Sequence, residues 1–368
     1  MRVLFVSKPV MPPWNDGSKN LVRDVVSHVR RIEPTIMVAP GAPSLGARVR
    51  REPVYGIASR FAPSNNALVL NRLIFGHPLD AWNFVFAPNA RSSSAARLAI
   101  AAQRVRGWNG PVVQTVASRP KEFSGSAPLF FGDVVVALSE WARKRLHEAG
   151  VNERRIRIIS PCAEAPRPVT KEQVAAFRAT HELGDGPVVV YPGDLEVSSG
   201  ARTVAEAAPE MLRRVPGLRV VFACRPKSAR AKAIEAELRS DLGGAMPFVR
   251  FLGEVPDMAV LLAAADVLLF PVDDLYGKVD LPLVLLEALA LGTPMVLARG
   301  GPLEEIEAAR FVEPRAPQAL ADEACGLLED EPARKALGER ARALHRERFS
   351  PEIAGERYDA LYAELGAR

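Results

Sequence analysis

Phe270-Pro-Val-Asp-Asp-Leu-Tyr-Gly-Lys-Val-Asp-Leu-Pro-Leu-Val-Leu-Leu-Glu-Ala-Leu-Ala-Leu-Gly-Thr-Pro-Met-Val296 is the stretch that decides the fold. It opens at the end of an apolar run, 267–270, which predicts a buried strand. A loop with Asp273, Asp274, Lys278 and Asp280 follows, then a helix whose apolar sequence is interrupted by Glu287. Gly292 stops that helix and Pro294 starts another buried strand. Strand, loop, helix and strand in this order make a parallel α/β unit. Loop polar groups and a helix N-terminus at strand ends suit a diphosphate and its sugar. A carboxylate inside an apolar helix needs a polar partner, and a ribose diol would provide one. The competing reading of Glu287 is a capped or solvent-facing side chain.

The same alternation runs outward in both directions. Towards the N-terminus, 3–6, 35–39, 84–87, 112–115, 134–138 and 156–159 read as strands, with helices at 20–31 and from the Ser139 cap to Ala149. Residues 161–170, with three prolines, read as a linker. A second series follows: strands at 188–191, 218–223, 249–252, 267–270 and 294–298, and helices at 201–214, 227–242, 258–264 and 283–290. Helices at 332–348 and 353–365 complete it. Residues 43–67, rich in Arg, Ser and Pro, read as a long connection, with an acceptor-side loop as the alternative. The expectation is an α/β protein of two Rossmann-like doubly wound domains facing each other across a cleft. The expected boundaries are 1–165, 166–345 and a terminal helix at 346–368.

Composition narrows the function classes. Hydrophobic residues at 48% and charged residues at 25% fit a globular chain, and 368 residues suffice for two cores. Cys162, Cys224 and Cys325 lack CxxC spacing and read as inert buried thiols in a reducing compartment. No leader and no span of 18 apolar residues is seen, so a cytoplasmic location is expected. The net charge of +5 divides unevenly: 1–165 carries +12 and the remainder −7. A basic first half suits an anionic partner such as a membrane surface or a lipid-linked acceptor, although an arginine-rich solvated surface would look the same. No aromatic-interleaved basic stripe points to nucleic acid. The five histidines are scattered, and no spacing of His, Cys and carboxylates suggests a metal.

Glu287-Ala-Leu-Ala-Leu-Gly-Thr-Pro294 resembles the second half of the hallmark of the retaining glycosyltransferases of the GT-B fold, family 4. The resemblance extends to Gly193 after a strand, Phe251-Leu-Gly253, Ala265-Asp-Val267, Arg348-Phe-Ser350 and the last helix with Tyr358, Leu361 and Tyr362. It implies the GT-B architecture, with that last helix returning to the first domain. It also implies a nucleotide-diphosphate sugar as donor and no cofactor. Glu287 would bind the ribose, Gly300, Gly301 and Leu303 would lie beside sugar and phosphates, and Asp16-Gly17-Ser18 would face the donor phosphate.

Several positions depart from the family pattern. The first Glu of its pair, eight residues before Glu287, is Val279, with Asp280 adjacent. The Arg expected after Gly193 is Asp194, the nearby Lys is replaced near Ser199, and a frequent His is Ala117. A departing diphosphate needs cations. Lys278, Arg225 and Lys227 are the candidates, with Lys278, Asp280 and Arg225 in the catalytic role. Gln114, Ser118, Arg119 and Lys121 remain as polar groups at a strand end. Trp14, Asn15, Lys19, Ser118 and Arg119 are candidates for the acceptor side, although Trp14 could only pack its loop and Asn15 or Ser18 could only cap a helix. The departures leave a second reading open: a glycosyltransferase-like chain that binds or assembles without catalysis.

Overall fold

The computed structural model describes residues 1–14, 16–56, 63–226 and 228–367. The chain divides into two units. Unit 1 comprises Met1–Glu164, Tyr276–Leu283 and Arg348–Arg368; unit 2 comprises Ala165–Leu275 and Val284–Glu347.

Unit 1 is built on a parallel sheet of seven strands: β1 (Arg2–Val6), β2 (Glu33–Val38), β3 (Arg50–Pro53), β4 (Ala81–Phe86), β5 (Val112–Val116), β6 (Val134–Ala137) and β7 (Ile156–Ile158). Their spatial order is β3-β2-β1-β4-β5-β6-β7. Its helices are α1 (Gly17–His28), α2 (Pro63–Phe75), α3 (Ala90–Val105) and α4 (Glu140–Glu148). Unit 2 carries α5 (Lys171–Thr180), β8 (Val188–Tyr191), α6 (Gly200–Arg214), β9 (Arg219–Phe222), α7 (Ala229–Asp241), β10 (Val249–Phe251), α8 (Met258–Ala264), β11 (Val267–Phe270), α9 (Leu283–Leu291), β12 (Met295–Ala298), β13 (Arg310–Val312), α10 (Pro317–Glu329) and α11 (Glu331–Leu344). Its sheet runs β10-β9-β8-β11-β12-β13, also parallel throughout. Central strands such as Val-Val-Val-Ala of β6 and Val-Leu-Leu-Phe of β11 are buried along their whole length, as expected of parallel strands covered on both faces.

In each sheet the strand order reverses once: between β1 and β4, and between β8 and β11. Loops leaving such a pair of strands diverge to opposite faces and leave a crevice at the carboxyl ends, where ligands bind in open α/β sheets.

The last helix, α12 (Pro351–Gly366), belongs to unit 1. Asp359 on it is buried and accepts from the backbone N–H groups of Arg30, Arg31 and Ile32 at 2.7, 3.0 and 3.2 Å. Tyr358 meets Thr115 Oγ1 at 3.1 Å, and that hydroxyl donates to Asn83 Oδ1 at 3.0 Å. A β-carbon at Gly355 would stand 2.6 Å from His28 O, so only glycine lets α12 lie this close to α1.

The structure differs from the sequence reading in three places. Residues 43–67 contain a strand, β3, and the start of α2. The block 166–345 is not one body, because 276–283 belongs to unit 1 and 346–347 to unit 2. Gln114 is not a strand-end group: it is buried in β5, donates to Leu129 O and accepts from Phe131 N, fixing the turn that follows Leu129.

Candidate functional site

The first crevice, in unit 1, is bordered by the loop between β1 and α1. Asp16 caps α1, accepting from Ser18 N at 3.0 Å, Ser18 Oγ at 2.6 Å and Lys19 N at 3.3 Å. Its other oxygen takes Lys8 Nζ at 2.6 Å. Burial pushes Asp16 up, but the Lys8 ammonium and the Ser18 hydroxyl outweigh it and hold the carboxyl below its ordinary value. Lys19 donates to Met11 O and Pro13 O at 2.9 and 3.0 Å, and burial lowers its pKa. Asn20 Nδ2 donates to Trp14 O, and the Arg23 guanidinium lies 5.0 Å from the Trp14 ring centroid. Asp16, not Ser18, is therefore the helix cap, and Trp14 packs its loop. Asn15 lies outside the described residues.

A depressed carboxylate pKa stabilises the folded state above the unfolded value and loses that contribution as pH falls through the folded one. Asp16→Ala should cost about 1 kcal/mol near neutral pH, the usual worth of an N-cap. The charge-dependent part of the difference in unfolding free energy between variant and parent should shrink as pH falls through the lowered folded-state value of Asp16. A difference independent of pH would show that the cap acts without its charge.

The segment Tyr276–Leu283 completes this side. A β-carbon at Gly17 would stand 3.5 Å from Val279 Cγ2, so the apolar residue at the first-Glu position lies against the start of α1. Asp280 is 5% exposed and accepts from Ser139 Oγ at 2.6 Å; the same hydroxyl accepts Ala142 N and caps α4. Lys278 is half-buried beside them in sequence. Ser118 is buried and Arg119 half-buried just after β5.

The second crevice, in unit 2, is framed by the loops after β8 and β11. A β-carbon at Gly193 would come within 2.1 Å of the Tyr191 ring, whose hydroxyl donates to Asp194 O at 2.9 Å. Only glycine allows the chain to fold over that ring. Asp194 is buried and accepts Val197 N at 2.8 Å and Glu196 N at 3.3 Å, closing a turn that leads to α6. From the neighbouring loop Asp273 accepts Ser199 N at 2.9 Å, joining the two strand ends at the residue that precedes α6. Arg315 Nε donates to Asp273 at 2.9 Å. Burial raises Asp273, and the Ser199 N–H and Arg315 bring it below its ordinary value.

Glu287 is half-buried on α9, the helix that leaves β11. Gly292, at φ +73°, ends this helix in the left-handed conformation, and Thr293 N bonds back to Ala288 O at 2.9 Å. Gly300 and Gly301 follow β12, Gly300 exposed and Leu303 buried. Arg225 follows β9 and pairs with Glu254 at 3.2 Å. Lys227 lies outside the described residues. Thus Gly193, Asp194, Glu287, Gly300 and Gly301 all lie on segments leaving the carboxyl ends of β8, β11 and β12, whereas Lys278 and Asp280 belong to unit 1.

Arg315 was missed by sequence reasoning. It follows β13 with φ +59°, an unusual conformation for a residue with a side chain, and no motif marks it. Among the described residues, no group of three or more His, Cys, Asp or Glu side chains could hold a metal ion. Among them, too, no helix is long and apolar enough to cross a membrane.

These loops fall inside a matched region. Residues 186–330 match the family described as Glycosyl transferases group 1. D-inositol 3-phosphate glycosyltransferase from Corynebacterium urealyticum is 31% identical over 229 residues, 58% of this chain and 52% of the relative. N-acetyl-alpha-D-glucosaminyl L-malate synthase from Bacillus anthracis is 35% identical over 121 residues, 32% of this chain and 31% of the relative. The chain spans about half the length of the curated relatives it matches. Among solved structures, Anabaena HepE in complex with UDP-glucose superposes with a TM-score of 0.77 at 17% identity, covering 99% of this chain and 100% of HepE. A glycosyltransferase from Rickettsia africae gives 0.74 at 16%, covering 99% and 98%. The fold is that of the GT-B glycosyltransferase structures: α/β, with two doubly wound parallel sheets.

Proposed function

We propose that this chain is a glycosyltransferase that moves a sugar from a nucleoside-diphosphate sugar to an acceptor, with retention and without a metal or resident cofactor. The observation that carries this reading is the matched region 186–330, which holds the β8–β11 crevice and Glu287 on the helix leaving it. Glu287 would accept the two ribose hydroxyls. Gly300 and Gly301, which present backbone without side chains, would let donor oxygens approach N–H groups. In the step itself the acceptor hydroxyl oxygen bonds to the anomeric carbon as the bond to the phosphate oxygen breaks, and the hydroxyl proton passes to that oxygen. No protein nucleophile is required, so the chain contributes orientation and charge. Arg225 and Arg315, both in unit 2 and each paired with one carboxylate, Glu254 and Asp273, are the cations we assign to the leaving diphosphate. The basic first half suits an anionic or lipid-linked acceptor.

One observation favours a second reading. Asp273 accepts the N–H of Ser199, the residue that caps α6, and Asp194 stands where the resemblance implies an arginine. Asp273 competes with a phosphate for a donor at the N-terminus of α6, and Asp194 adds negative charge in the turn that leads there. A binding protein without turnover would tolerate this arrangement. Calorimetry with UDP, GDP, ADP, CDP and dTDP, followed by slow hydrolysis of the corresponding nucleotide sugars, separates the readings. Binding with hydrolysis supports transfer. Binding without hydrolysis or transfer supports the second reading, and binding of none removes both.

A further inference from the structure

Beside the amino ends of β6 and β7, on the opposite edge of the unit 1 sheet from its crevice, lies a hollow of about 570 Å³. The connection from β5 to β6 forms one wall, with Pro128, Phe130, Gly132 and Asp133. Arg97 of α3 and Arg155, the residue before β7, complete the lining.

The wall is fixed from inside the sheet. Gln114, buried in β5, donates to Leu129 O at 3.2 Å and accepts Phe131 N at 2.9 Å. Ser93 on α3 donates to the same Leu129 O at 2.9 Å. A β-carbon at Gly132 would stand 2.6 Å from Val134 O, so only glycine lets the chain enter β6 this tightly. The carbonyls placed in this way hold both guanidinium groups. Arg97 Nη2 donates to Pro128 O at 2.5 Å. Arg155 donates from Nε to Gly132 O and from Nη2 to Phe130 O, both at 3.1 Å.

Carbonyl oxygens carry no formal charge, so these bonds orient the two cations without neutralising them. Among the described residues neither arginine pairs with a carboxylate, and Arg97 Nε and Nη1 and Arg155 Nη1 keep their N–H groups unclaimed. Asp133, the carboxylate of the lining, accepts Val112 N at 2.8 Å and lies 3.6 Å from Arg104 Nη2, two turns along α3 from Arg97. Three guanidinium groups, Arg97, Arg104 and Arg155, against one carboxylate leave two positive charges in excess.

We propose that this hollow binds a small phosphate monoester, with its dianionic group between Arg97 and Arg155. Guanidinium forks match the oxygens of a phosphate, and a phosphate has enough terminal oxygens to meet two of them. The volume lies in the range of small-molecule sites, about 300–1,000 Å³, so the ligand carries an organic body of roughly sugar size beyond its phosphate. Crevice ligands of open α/β sheets sit at the carboxyl ends of the strands. An occupant at the amino ends therefore stands apart from the reacting atoms, and the site does not depend on sugar transfer.

The test is calorimetry of the full chain with glucose 6-phosphate, inorganic phosphate and glucose. Glucose 6-phosphate should bind, inorganic phosphate should bind more weakly, and glucose should not bind. Arg97→Gln should weaken glucose 6-phosphate at least about tenfold, the worth of a hydrogen bond to a charged group. The melting temperature of the ligand-free variant should stay near that of the parent, because Arg97 is exposed. Arg97→Lys keeps the charge without the fork and should lie between. A diester, sn-glycero-3-phosphoglycerol, carries less charge and should bind more weakly than the monoester. No binding of glucose 6-phosphate at about 10 mM, or undiminished binding by Arg97→Gln, would overturn the proposal. So would binding that is lost in Arg315→Gln and kept in Arg97→Gln, which would assign the phosphate to the unit 2 crevice. Tighter binding of the diester would overturn it as well, in favour of a lipid headgroup.

Discussion

Truncating Asp359 to alanine is expected to lower the stability of unit 1 by about 3 kcal/mol, since each hydrogen bond to a charged group contributes about 1.5–3 and exposed donors can recover water. The carboxylate gathers three consecutive N–H groups, Arg30, Arg31 and Ile32, where the chain turns from α1 into β2. Of these residues Ile32 is buried, so its donor has the least access to a substitute. Asp359→Asn retains one acceptor oxygen and should lose less. The denaturation midpoint measures both, and an unchanged midpoint in Asp359→Ala would show that the three donors find other partners.

The largest functional effect should follow Glu287→Ala. Loss of two charge-assisted hydrogen bonds to a ribose would weaken nucleoside-diphosphate binding by about 2–3 kcal/mol, or roughly 30- to 150-fold. Glu287→Gln should lie between. An unchanged dissociation constant in Glu287→Ala would remove the residue from the donor site and leave it as a solvent-facing carboxylate on an apolar helix.

The sequence was most legible where side chains met one dominant demand. β8, α8 and β11 are read to the residue at 188–191, 258–264 and 267–270, because runs such as Val-Val-Val-Tyr and Val-Leu-Leu-Phe are apolar throughout and bounded by glycine, proline or aspartate. β3 gave no such signal. Arg50-Arg-Glu-Pro53 pairs only with β2 at the sheet edge, where charge and a proline are tolerated and no apolar face is required. The candidate site was legible as far as its backbone: Gly193, Glu287 and Gly300–Gly301 follow from strand-end position and family resemblance. Pairings between distant residues were not. Nothing in the spacing of Ser199, Asp273 and Arg315 says that one carboxylate joins the other two. Asp280 also depends on tertiary structure, since its partner Ser139 is 141 residues away.

The chain's division between the two units has a consequence for the order in which it can fold during synthesis. Domains generally fold as they emerge, the N-terminal one first. Here the N-terminal unit includes Tyr276–Leu283, which supplies Asp280 to Ser139, and Arg348–Arg368, which supplies Asp359 to the α1–β2 turn and Tyr358 to Thr115. Most of unit 2 has therefore left the ribosome before unit 1 receives its last parts. The unit translated first is the one finished last, and a nonsense codon near position 350 would injure the N-terminal sheet rather than the C-terminal one.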